Sequence, residues 1–268
     1  MNIEKSEIAI ITTVSNIELY NKSLKYHPEG IDRIMIDGRK GLYGMESIIF
    51  MFEKLKKTNY KWIIMVDEDV FFIKPKLVFD QINYMNKNNY TISGLRDGGV
   101  VNHRTYNPFA MNTFFLIINY EKLKPIWNKK EVLNTHKIDN KKMLSLNNLE
   151  YDFDVNSSFE LYYPFFFWVL NKNNRLLYLE TKSPFKKNDV YSNAVYDHRK
   201  NTILVHSWFA RAYGKYEEHT KRIDELIETT MQRTNLNDNI SYVVWKNLYF
   251  TFMFNLRRII KRIKNSKF

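Results

Sequence analysis

The chain has 268 residues, with 41 Lys and Arg against 29 Asp and Glu, and no cysteine. Hydrophobic residues at 44% and aromatic residues at 16% exclude a disordered chain, and the missing thiols exclude a disulfide scaffold, a thiolate metal site and a cysteine nucleophile. No apolar run approaches the roughly 18–20 residues that span a bilayer. The opening MNIEKSEIAIITTV has no basic leader, so a cytoplasmic location is expected.

Residues 7–14 (EIAIITTV) are apolar and β-branched and predict a buried strand of a parallel sheet. Helical spacing follows over 15–26. A second strand is predicted over 31–36, closed by Asp37 and Gly38, and Gly41 and Gly44 punctuate a loop. Residues 45–57 read as a helix with a basic end, and 62–66 (WIIMV) as a third buried strand. A helix over 75–85 and a short strand over 90–95 complete an alternation that predicts an α/β layer. After a loop over 96–106, strands are expected over 112–118 and 202–205. Residues 134–158 are polar and Asn-rich. Residues 161–170 and 175–179 return to apolar structure, with Pro164 interrupting the first run. The aromatic cluster over 162–168 reads as core, with stacking on an acceptor as the alternative.

In such a sheet ligands gather beyond the carboxyl ends of the strands, where Thr12, Thr13, Asp37, Arg39, Asp67 and Asp69 stand. Most informative is the string Asp67-Glu68-Asp69. A buried strand ending in three acids needs their charge exposed or compensated. Asp67 and Asp69 at i and i+2 can approach one hard cation, Mg²⁺ or Mn²⁺, which in turn bridges diphosphate oxygens. The plain reading is an acidic turn that caps the next helix.

On these residues the chain resembles the GT-A fold glycosyltransferases, whose hallmark is an Asp-x-Asp motif after a hydrophobic strand. Three further strings carry the resemblance, which runs from Ile8 to about Tyr213: residues 8–14 as the first strand, NPFAMNTFFLIIN over 107–119 as the acceptor-side strand, and Val205-His206-Ser207-Trp208 as the late strand. It implies a Rossmann-like, mostly parallel sheet flanked by helices, and a nucleotide-sugar donor held through Mn²⁺ or Mg²⁺. Asp67, Asp69 and His206 would be metal ligands. Thr12, Thr13, Asp37, Arg39, Asp67 and Asn112 would face the donor. Arg39 and Lys40 are equally readable as surface charge, and His206 as a core histidine. If the reaction inverts, a carboxylate must take the acceptor's proton; Glu160, Asp154 and Asp97 are the candidates, each also readable as a surface or capping acid. The acceptor expected is a polysaccharide or glycolipid.

The formal charge of +12 points to phosphorylated or lipid partners and, lacking any zinc-finger or RNA-binding signature, not to nucleic acid. Seven basic residues and no acid fall within 246–268. A helical wheel there gathers Tyr249, Phe252, Met253, Leu256, Ile259, Ile260 and Ile263 on one side, with Arg258, Lys261 and Arg262 opposite. A catalytic domain over 1–245 and an amphipathic tail over 246–268 are therefore expected. The tail is predicted to lie on the inner face of the cell membrane or to pack on the body. Two competing functions share these features: a haloacid dehalogenase-type phosphatase with Asp67 as nucleophile, and a non-catalytic peripheral membrane adaptor.

Overall fold

A computed structural model describes residues 3–97, 106–139, 149, 152–185, 189, 191–230 and 240–265, with side chains to Ile260. In chain order the elements are β1 (Ile8–Val14), α1 (Ile17–Leu24), β2 (Asp32–Asp37), α2 (Met45–Leu55), β3 (Trp62–Val66), β4 (Val70–Phe72), α3 (Leu77–Lys87), β5 (Ile92–Arg96) and β6 (Met111–Asn119). There follow α4 (Tyr120–Leu123), α5 (Lys129–Asn134), α6 (Tyr163–Asn171), β7 (Leu176–Leu179), β8 (Thr181–Lys182), β9 (Ser192–Tyr196), β10 (Thr202–Ser207), α7 (Glu217–Thr230), β11 (Val243–Trp245) and α8 (Leu248–Asn265). The loop expected over 96–106 lies outside the described residues from 98 to 105, and the Asn-rich segment is outside them at 140–148, 150 and 151.

Among the described residues seven strands form a central sheet in the order β11-β2-β1-β3-β6-β5-β7. All are parallel except β6, which runs antiparallel to β3 and β5 on either side. The β3 strand is buried along its whole length because helices cover both sheet faces, which is why it reads as an unbroken apolar run. One face packs on α2 and α6 through Phe52, Phe165, Phe166 and Trp168, and the other on α3 through Val78, Ile82 and Met85. The aromatic run over 162–168 is core, as Phe165, Phe166, Phe167 and Trp168 are at most 2% exposed. Pro164 does not interrupt this helix. It occupies the first turn, where its missing N–H costs nothing.

A second, antiparallel sheet in the order β4-β10-β9-β8 was not legible in the sequence. The β3 and β4 strands are consecutive yet belong to different sheets, so Asp67, Glu68 and Asp69 form the link between the sheets rather than a strand-to-helix turn.

His27 lies in the core between the edges of the Tyr20 and Phe72 rings, and neither ring nitrogen has a hydrogen-bond partner among the described residues. Burial first, and then the neighbouring Arg33 charge, pushes its pKa down to about 3. The unfolded chain thus binds a proton near pH 6.5 that the native state refuses until about pH 3. This contribution to stability is complete above pH 6.5 and falls as pH drops toward 3, by up to about 1.4 kcal/mol per pH unit. Between pH 6 and 4, urea unfolding of His27→Phe should show a shallower loss than the parent. Equal slopes would show that the histidine does not stay neutral.

Candidate active site

The cleft opens beyond the carboxyl ends of β1, β2 and β3, as expected for an α/β sheet. It has a volume of about 600 Å³. The β1 end contributes Thr13, the β2 end Gly38, the β3 end Asp67 and the β10 end His206, while Ser47 comes from the start of α2.

The three acids behave differently. The carboxylate of Glu68 is buried and accepts hydrogen bonds from Ser15 N–H at 2.9 Å, Ser15 Oγ at 2.6 Å and Asn16 N–H at 3.0 Å. It clamps the turn between β1 and α1, where Asn16 caps the helix by accepting from Leu19 N–H. Asp67 and Asp69, on either side, line the cleft. Asp69 is 3% exposed, and its buried Oδ1 has no hydrogen-bond partner among the described residues. It lies 3.4 Å from His206 Nε2. That approach follows from sheet register: β10 pairs antiparallel with β4 so that His206 stands opposite Val70, and Ser207 N–H donates to the Asp69 carbonyl at 3.2 Å. The imidazole is fixed by stacking on Phe114, with ring centroids 3.8 Å apart and planes 2° from parallel.

Burial, then the charges of Asp69 and Glu68, hold the Asp67 carboxyl well above the usual carboxylate range, while Arg211 pulls it down. The wall is thus short of positive charge, and a buried carboxylate oxygen without a partner carries a desolvation cost. Asp67, Asp69 and His206 offer oxygen and imidazole donors of the kind Mn²⁺ and Mg²⁺ accept. Among the described residues no group of three or more His, Cys, Asp or Glu is gathered closely enough to hold a metal ion. Such a cation keeps several oxygens from water and phosphate, so one or two carboxylates are sufficient anchors.

Arg211 escaped the sequence reading, and it brings a cation to this wall. It lines the cleft with its guanidinium 4.4 Å from the Tyr43 ring centroid. Its placement depends on Phe209, a bulky residue in the left-handed region (φ 78°, ψ 36°) that turns the chain into a single 3-10 turn, Ala210–Ala212. Two anchors hold the turn: Asn16 Nδ2 donates to the carbonyls of Ala210 and Tyr213, both at 2.9 Å, and Arg222 donates to Ser207 Oγ and the Trp208 carbonyl. Opposite, Gly44 (φ 57°, ψ −130°) opens α2 in a backbone conformation that side chains rarely adopt, and the first turn of the helix lines the cleft.

Of the other expected residues, Thr13 lines the cleft, whereas the neighbouring Thr12 is buried and its hydroxyl has no hydrogen-bond partner among the described residues. Asp37 and Arg39 do not line it. They form a bidentate pair with each other at 2.8 and 2.9 Å, and that guanidinium holds the Asp37 carboxyl below its ordinary pKa. Asn112 is buried; its Nδ2 donates to Asp97 at 2.9 Å, and it is Thr113 that lines the cleft. Asp97 is 1% exposed and also accepts from the hydroxyls of Tyr162 and Tyr163. Burial and the Asp97 charge push both phenol pKa values up, so both remain donors. Asp154 accepts from Asn156 N–H at 2.8 Å in its own turn and does not line the cleft. Glu160 does line it, and also lines an adjoining apolar chamber of about 360 Å³ that includes Leu133, His136 and Phe167. Met45, Glu46, Glu160 and Leu161 are common to the two spaces.

No family model matches the chain, and no curated protein matches it. Among solved structures it is similar to the mannosyltransferase PcManGT from Pyrobaculum calidifontis in complex with GDP-Man and Mn²⁺, at 7% identity and a TM-score of 0.33. The match covers 47% of this chain and 48% of the other, so the chain spans about half the length of that relative.

Proposed function

We propose that the chain is a metal-dependent glycosyltransferase that moves a sugar from a nucleoside-diphosphate donor to a saccharide or glycolipid acceptor. One observation carries this reading: the buried, unpartnered Asp69 Oδ1, 3.4 Å from His206 Nε2, in a cleft whose rim carries Asp67 and Arg211. Asp67 and Asp69 would anchor Mn²⁺ or Mg²⁺, and His206, 3.4 Å from Asp69, would be available as a further donor. When bound, the cation supplies Lewis-acid stabilisation of a diphosphate leaving group.

The chain's own residues have separable tasks. Arg211, kept in place by Tyr43, binds diphosphate oxygens, and the N-terminus of α2, which no side chain caps, favours the same anion. Thr13 and Ser47, whose hydroxyls are hydrogen-bonded to each other at 2.5 Å, wall the nucleotide side of the cleft. Glu160 stands at the boundary with the second chamber, which we assign to the acceptor. It takes the acceptor hydroxyl's proton as that oxygen bonds to the anomeric carbon. The bond from that carbon to the diphosphate breaks, and the electron pair leaves with the diphosphate toward Arg211.

The test is a thermal-shift panel of nucleoside diphosphates with and without Mn²⁺. A rise is expected only with the metal and the matching nucleotide together, because ligand binding stabilises the native state. Arg211→Ala should weaken that nucleotide about 10- to 100-fold, the loss of one charge-assisted contact of roughly 1.5–3 kcal/mol. A panel in which no nucleotide moves the transition, alongside hydrolysis of simple phosphoesters, would defeat the transferase reading.

A further inference from the structure

The α8 helix has 18 residues, about 27 Å at the α-helical rise, and its two sides meet different surroundings. One side of its first two turns grips the body. Phe250 packs against the main core, and the Phe254 ring lies 3.4 Å from where a Cβ on Gly41 would stand. The other side is free: Leu248 and Tyr249 are each 74% exposed, Phe252 63%, Ile259 53% and Ile260 45%. From Asn255 through Ile260 every residue is exposed, Leu256 and the guanidinium-bearing Arg257 and Arg258 included. The wheel's apolar face is therefore not the one that packs on the body.

We infer that α8 docks the protein on an anionic lipid bilayer, lying in the interface with its free apolar face among the acyl chains and its cations among the headgroups. The occupant follows from the charge. Residues 246–268 carry seven cations and no acid, so a second copy of the helix would meet its own charge, whereas anionic headgroups complement it. No described helix is long and apolar enough to cross a membrane, which leaves the interfacial geometry. Gly41, under Phe254, belongs to the segment that walls the cleft through Leu42, Tyr43 and Gly44, so the docked helix brings the cleft mouth to the lipid surface. The inference stands apart from the transferase reading and would give that reaction a lipid-borne acceptor.

Co-sedimentation of the full chain with vesicles tests it. Binding to phosphatidylcholine vesicles containing one quarter phosphatidylglycerol should exceed binding to pure phosphatidylcholine at least tenfold at 0.15 M salt, and weaken at 1 M salt. The triple variant Phe252→Glu, Leu256→Glu, Ile259→Glu should lose at least tenfold in binding with an unchanged melting temperature, since all three side chains are exposed. Arg257→Glu with Arg258→Glu should erase the preference for the anionic vesicle. Equal binding to both vesicles, or a triple variant that binds like the parent, would overturn the inference. So would a parent dimer that the triple variant dissociates without any vesicle binding. The nucleotide and Mn²⁺ thermal shift, measured on the same variants, should not change, which separates failure here from failure of the proposed activity.

Discussion

Mn²⁺ together with the matching nucleoside diphosphate should raise the melting temperature of the parent protein by about 5–10 °C and leave Asp69→Asn unmoved. A ligand at one hundred times its dissociation constant stabilises by about 2.7 kcal/mol, and each kcal/mol shifts a chain of this size by roughly 2–4 °C. Asp69 is the chosen position because its buried Oδ1 accepts no hydrogen bond among the described residues, so an amide fits the same space. In the absence of metal the variant should melt above the parent, because removing the Asp69 charge relieves both Asp67 and Glu68. The pH dependence has a definite sign. The Asp67 carboxyl titrates above its unfolded value near 3.8, so its contribution to metal-free stability is present below that value and is lost as pH rises through the raised folded pKa. This is opposite in direction to His27. If Asp67 holds the cation as proposed, protons compete with it for that carboxylate, and Mn²⁺ affinity should fall as pH is lowered from 7 into that raised range. Transfer activity should vanish in the same variant. An Asp69→Asn protein that shifts with Mn²⁺ and nucleotide like the parent would remove the metal role from this acid.

What the sequence made legible and what it hid divide along a physical line. The strands of the first half were readable because burial on both faces writes itself as continuous apolar runs, as in Trp62–Val66. His206 was legible as a cleft residue because it follows the apolar run over 202–205 near the end of β10. Side-chain parity was harder: Thr12 against Thr13 and Asn112 against Thr113 differ by one residue, and one residue turns a strand side chain to the opposite face. The second sheet was hidden because β4 is three residues long and follows three acids. Glu68 resembled its neighbours until its partners Ser15 and Asn16, more than fifty positions away, were in view. Arg211 depended on a strained Phe209 and on anchors from Asn16 and Arg222, none of which leaves a periodic trace. Its only signal was its place five residues after His206 in HSWFAR.

Asp97→Ala should lower stability by about 3 kcal/mol or more, a fall of roughly 6–12 °C in the melting temperature, while Glu160→Gln should leave the melting temperature within about 1–2 °C of the parent and reduce turnover about 100- to 10 000-fold. The contrast assigns the two acids to different work. Asp97 is the acceptor for three buried donors, Asn112 Nδ2 and the hydroxyls of Tyr162 and Tyr163. Truncation leaves all three facing a void, each at about 1–3 kcal/mol. Asp97→Asn keeps one oxygen for Asn112 and Tyr162, and the Tyr163 hydroxyl can rotate to accept from the new amide, so most of the stability should return. Glu160 is half-buried and lines both chambers, the position proposed for the proton acceptor. Urea unfolding and single-turnover transfer measured on the same preparations separate the two roles. A stable, inactive Asp97→Ala beside an active Glu160→Gln would reverse the assignment and move the proton acceptor beneath the cleft.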